Sequence, residues 1–148
     1  MKRKTSTVCL SANISWTIQK GSWIMHPLLT FAIYLLTSYF FTSNYSLQLT
    51  LVSYNMITFI FFHWIVGDPF DKNNREFTFW EQVTEQIEAP STLIYMSLFP
   101  VVLFMFVNRI VDWNIKMYIL SVISLLLVTI PKLSFMHMKR LFGVRRYD

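Results

Sequence analysis

From Gly21 to Gly67 the chain runs 47 residues without an Asp, Glu, Lys or Arg. This gap restricts the fold more than any other feature, because about seven charges are expected there at the chain-wide frequency. A soluble helix keeps a charged outer face, whereas a charge at the bilayer centre costs roughly 2.5–3.5 kcal/mol, so a lipid-facing helix excludes it. One span takes about 20 residues, and the gap therefore holds two spans joined by a tight turn, placed at Ser43-Asn44-Tyr45-Ser46. Two further apolar stretches begin near Ser91 and Trp113. The expectation is an all-α membrane protein, a single polytopic domain over 1–148, with transmembrane helices at 22–42, 46–66, 91–108 and 113–130. Pro100 falls inside the third helix, where it removes one backbone hydrogen bond and should kink it, a defect that neighbouring helices can absorb. Lys116 sits close enough to the end of the fourth to snorkel into the headgroups.

The basic residues orient these spans. Eleven of 13 fall in the N-terminal segment (1–21), the central loop (67–90) and the tail (131–148), and Arg109 and Lys116 are the two on the opposite side. The positive-inside rule makes the crowded side cytosolic, with both termini there. The net charge of +5 thus has a membrane explanation, and no interleaving of basic and aromatic residues points to nucleic acid. The first apolar run is of full span length and lacks a small-residue cleavage site, so it is expected to be retained. Cys9 is the single cysteine, read as a reduced thiol.

Within the central loop, Thr78-Phe79-Trp80-Glu81 has the form of a capping box, and a short amphipathic cytosolic helix from Phe79 to about Ala89 should follow. Phe79, Trp80, Val83 and Ile87 gather on one face and Glu81, Glu85 and Glu88 nearly opposite. Such a helix lies on the membrane surface or a neighbouring helix end, or it docks on a partner.

Catalysis finds little support. His26, His63 and His137 lack metal-ligand spacing. His26 and His63 sit at the same ends of antiparallel helices and could meet, but each reads as a hydrogen-bonded polar residue. Asp68, Asp71, Glu76 and Glu81 lie in a loop with nothing to separate their pKa values. Asn55 is the amide well inside a span, where bonding to a neighbouring helix explains it, and the absence of acids or bases at depth in the first three spans argues against a transporter.

Three separated blocks carry a resemblance. They are Asn13-Ile14-Ser15-Trp16 with Gly21-Ser22-Trp23; then Leu49-Thr50, Asn55-Met56, Ile60-Phe61-Phe62-His63, Gly67-Asp68-Pro69-Phe70 and Trp80-Glu81-Gln82; and last Pro131-Lys132-Leu133, His137, Arg140, Phe142-Gly143 and Tyr147. In order and spacing the chain resembles the Orm/ORMDL family from about Asn13 onward. The resemblance implies a non-enzymatic regulator in the endoplasmic-reticulum membrane, without a cofactor. It would negatively regulate serine palmitoyltransferase, a separate pyridoxal-phosphate enzyme, in response to ceramide, and so control sphingolipid synthesis. The segment before the first span would plug the lipid-substrate path of the catalytic subunits. Asn13 would hydrogen-bond ceramide and Phe61 would line its acyl side, while Ile14, Trp16, Trp80, Pro69 and Phe70 are the expected partner contacts. An amide both donates and accepts, which suits a buried lipid amide. The alternative is an assembly or trafficking factor that senses no lipid. The chain departs from the family at Pro90-Ser91-Thr92-Leu93, where a basic pair is usual, and at Asp68 and Ser134. Thr5, Ser6 and Thr7 are the candidate phosphorylation sites, and the triplets at Asn13 and Asn44 are expected to be unglycosylated.

Overall fold

A computed structural model describes residues 12–19, 21–68, 70, 77–87, 90–133 and 136. Four helices in it are long and apolar enough to cross a membrane, Ser22–Phe40, Ser43–Trp64, Pro90–Ile110 and Ile115–Lys132. In chain order the α-helices are α1 (Ala12–Ser15), α2 (Met25–Phe40), α3 (Ser43–Phe59), α4 (Phe79–Gln86), α5 (Pro90–Ile110) and α6 (Ile115–Thr129). The short helix between the second and third spans is α4, and the fold is all-α as expected. We call the end of the bundle carrying α1 and α4 the terminal end, and the other the turn end.

The first reversal is shorter than expected. Thr42 is extended, and the Ser46 N–H donates to its carbonyl at 2.8 Å, so Ser43–Ser46 forms the first turn of α3 and the chain reverses at Phe41–Thr42. Helical geometry there lets Ser46 and Thr50 meet Thr37 of α2, whose hydroxyl lies 2.9 Å from Ser46 Oγ and 3.0 Å from Thr50 Oγ1. Nearby, the Asn44 amide donates to Asp112, joining the two turns, and Ser46 is fully buried. Both ends of the Asn44-Tyr45-Ser46 triplet are thus engaged in packing.

Helix α3 is the centre of the bundle, with α2 on one side and α5 and α6 on the others. Its buried residues include Ser46, Gln48, Thr50, Leu51, Tyr54, Asn55 and Thr58, so small and polar groups make the contact surface. Lipid tails are as apolar as leucine, and spans associate through close packing and polar bonds instead. The Asn55 Nδ2 donates to Ser124 Oγ of α6 at 3.0 Å, the helix-to-helix bond expected of it. Leu28, Phe31, Leu35 and Leu36 of α2 face outward, as a lipid-facing surface requires.

The proline in α5 is compensated by a specific residue. Pro100 has no N–H for the carbonyl four residues earlier, that of Met96. The Lys132 ammonium donates to this carbonyl oxygen at 2.8 Å, and it lies 5.3 Å from the ring centroids of both Phe62 and Trp80. Counted from sequence as a basic flank of the last span, Lys132 instead turns inward and ties the end of the fourth span to the second, the third and α4. The two rings supply the negative faces that an ammonium seeks when water is scarce.

Candidate functional site

At the terminal end, α3 finishes in a widened turn, Ile60–Trp64, in which the Ile65 N–H reaches back five residues to the Ile60 carbonyl at 3.0 Å. Turns of this kind re-aim side chains and cluster at functional sites. Phe62 points inward and is buried, whereas Phe61 is 38% exposed beside it. Phe61 packs on Phe79 of α4 at 4.8 Å between ring centroids and on Phe62 at 5.4 Å.

The base of the central loop is closed by backbone pairing and one side chain. Val66 and Thr78 form an antiparallel bridge, with Gly67 N–H donating to Phe77 O at 3.2 Å and Phe79 N–H to Ile65 O at 3.1 Å. The Gln82 amide accepts from Asp68 N–H at 2.8 Å and donates to Asp68 O at 3.3 Å and Phe77 O at 3.4 Å. Gly67 is required by this clamp, because a Cβ there would lie 2.5 Å from Gln82 Oε1. The capping box is present: Thr78 Oγ1 accepts from Glu81 N–H, and the Glu81 carboxylate accepts from Thr78 N–H at 2.8 Å. That bond buries Glu81, which the helical pattern alone places on the outer acidic face. Asp68 is likewise engaged, its carboxylate accepting from Phe70 N–H at 2.9 Å.

The aromatic face of α4 rests on the chain's own helix ends. Phe79, Trp80, Val83 and Ile87 form one buried cluster with Ile14, Phe62 and Met96, against which Trp16 and Leu93 pack. Ile14 is 0% exposed and Trp80 5%, so these two expected partner contacts are packed inside the subunit. Trp16 is half-buried, 6.2 Å from the Phe79 ring, and Phe70 is 89% exposed. Pro69 lies outside the described residues, as do Cys9, His137 and the rest of the tail beyond it; so does the side chain of Asn13, whose backbone belongs to α1.

The two described histidines do not pair. His26 Nδ1 shares a 2.7 Å hydrogen bond with the Tyr54 hydroxyl, and its ring stacks on Phe62 at 6.2 Å. His63 packs on Trp80 at 6.0 Å, and among the described residues its buried Nε2 has no hydrogen-bond partner, unlike the bonded polar residue expected there. Among the described residues no cluster of His, Cys, Asp and Glu is placed to hold a metal ion. Sequence reasoning gave Lys132 and Gln82 no structural role, only a place in the motif blocks, and did not find Tyr54 as the partner of His26. A signal existed for the first, since Pro100 leaves a carbonyl that some donor must meet.

Residues 11–140 match the model of the ORMDL family. Among similar proteins, an uncharacterized protein of Schizosaccharomyces pombe is 32% identical, over 90% of this chain and 75% of that one. Human ORM1-like protein 2 is 29% identical over 86% of this chain and 88% of its own. The Drosophila melanogaster ORM1-like protein is 29% identical over 91% and 92%. With a family match that runs from α1 through all four spans, the chain belongs to the ORMDL family.

Proposed function

We propose that the chain is the regulatory subunit that restrains serine palmitoyltransferase when ceramide is plentiful, in the endoplasmic-reticulum membrane with its terminal end cytosolic. Membership of a regulatory, non-catalytic family supports the class of function. The observation that carries the mechanism is the anchoring of α1. Ile14, next to Asn13, is fully buried among Phe79, Trp80, Val83 and Met96, so the backbone of the segment that would enter the enzyme is held at the bundle end. A restraining segment must be ordered before it can block a path, and anchoring it in advance reduces the entropy lost on docking. Phe61 stands exposed at the same end, where an acyl chain could lie along it.

The test is a reconstituted complex with the cognate catalytic subunits, in which ceramide is titrated against wild type and Asn13→Ala. Inhibition that rises with ceramide and is blunted about tenfold by the substitution is expected from loss of one or two amide hydrogen bonds. Stable association with ceramide-independent activity would instead leave an assembly factor.

A further inference from the structure

Beyond the end of α3 the exposed surface stays apolar. Ile57, Ile60, Phe61 and Trp64 follow one another at helical spacing along the outer side of the second span, and all are exposed. Ile65, Val66 and Phe70 carry this run past the helix and into the base of the central loop, with Trp64 75% and Phe70 89% exposed. At the same end of the bundle α4 behaves differently: its apolar face is buried, and Glu85, nearly opposite that face, is exposed.

Irregular backbone is costly in a water-poor layer unless its polar groups bond within the protein. The loop base meets that condition. Ile65 N–H donates to Ile60 O at 3.0 Å, and Ile65 O accepts from Phe79 N–H at 3.1 Å. Gly67 N–H bonds Phe77 O, the Gln82 amide takes both the N–H and the carbonyl of Asp68, and Phe70 N–H bonds the Asp68 carboxylate. The last bond also occupies the acid that interrupts the apolar run, and Asp68 is buried. Asp71, Lys72, Arg75 and Glu76 lie outside the described residues.

Length sets the depth of this stretch. The second span covers 22 residues, which is about 33 Å of helix against a hydrocarbon core of about 30 Å. Trp64 therefore stands at the boundary level where tryptophan is enriched, and residues 65–70 fall in the headgroup layer. An exposed apolar stretch that continues a lipid-facing stripe, with its backbone bonded internally, suits the bilayer interface and no aqueous surface.

We propose that Trp64, Ile65, Val66 and Phe70 form a wedge that seats the base of the central loop in the membrane interface, with the headgroup and upper acyl region of the lipid as its partner. Phe70, expected from the family resemblance to meet a partner protein, is thereby assigned to lipid. The wedge does not depend on the regulatory role proposed above.

The test uses the full chain with Cys9→Ser, which leaves no other cysteine, in phosphatidylcholine vesicles without the enzyme. An environment-sensitive fluorophore is attached in turn to Val66→Cys, Phe70→Cys and Glu85→Cys. Quenching by a nitroxide carried just below the lipid headgroup is compared with quenching by aqueous iodide. At positions 66 and 70 the nitroxide should quench more than iodide, with emission shifted to the blue, and at position 85 the order should reverse. Adding Val66→Asp should expel the reporter at position 70 and raise its iodide quenching toward that at position 85. The fold should tolerate this change, because the Val66 side chain is exposed and its bridge to Thr78 is made by backbone; unchanged circular dichroism checks it. Iodide quenching at positions 66 and 70 equal to that at position 85 would overturn the wedge. Indifference to Val66→Asp would also overturn it, since the fluorophore would then be inserting by itself. Protection that arises only when the catalytic subunits are added would make this face a protein-docking surface instead.

Discussion

The two ends of the bundle are held together by different physics. At the terminal end Ile14, Phe62, Phe79, Trp80, Val83, Ile87 and Met96 form a cluster of large apolar side chains like the core of a soluble domain. Toward the turn end the buried contacts run through Ser46, Thr50, Ser121 and Ser124, with hydroxyls bonded to one another and to helix carbonyls. Water gives the first arrangement its driving force, because apolar area is removed from it. Within lipid that force is absent, and short polar side chains hold the helices by close approach. The contrast places the core-like packing at the end where α1 and Phe61 lie.

Substitutions can break this contrast in order of expected size. Trp80→Ala empties the centre of the terminal cluster and should cost about 3–5 kcal/mol, read as a large fall in the unfolding temperature of the detergent-purified chain. Lys132→Met leaves the Met96 carbonyl without its donor and should cost about 2–3 kcal/mol. Pro100→Leu returns an N–H to that carbonyl, so the cost of Lys132→Met in the Pro100→Leu background should fall by more than half in a double-mutant cycle. Equal costs in both backgrounds would separate the lysine from the proline. Gly67→Ala drives a methyl into Gln82 and should cost about 1–2 kcal/mol, with faster proteolysis of the central loop as its readout. Asn55→Leu should cost only about 0.6 kcal/mol, since the bond to Ser124 is a single interhelical one. Among the described residues the Asn55 Oδ1 has no hydrogen-bond partner, which further limits the loss.

The spans, the capping box and the inward face of α4 could be read from the sequence because each rests on a local rule. A gap in charge marks lipid exposure, and Thr78 and Glu81 are only three residues apart. What escaped depends on contacts distant in sequence. Met96 and Lys132 are separated by 36 residues, and His26 and Tyr54 by 28. The Glu81 side chain shows the limit of periodicity: the helical wheel sets it outside, and a bond to its own N-cap draws it in. The start of α3 was displaced for a related reason, since Ser43–Ser46 reads as turn chemistry until Thr37 is known to face it.

The account holds that the terminal end is the working end and the turn end only holds the helices together. The most direct measurement compares ceramide-dependent inhibition of the reconstituted enzyme by Trp80→Ala and Thr50→Val, each at equal amounts of inserted, assembled subunit. Thr50→Val removes a hydroxyl bonded 3.0 Å from Thr37 near the turn end. The account predicts that Trp80→Ala loses most of the ceramide response while Thr50→Val keeps it. Equal responses in the two, whether both retained or both lost, would contradict it.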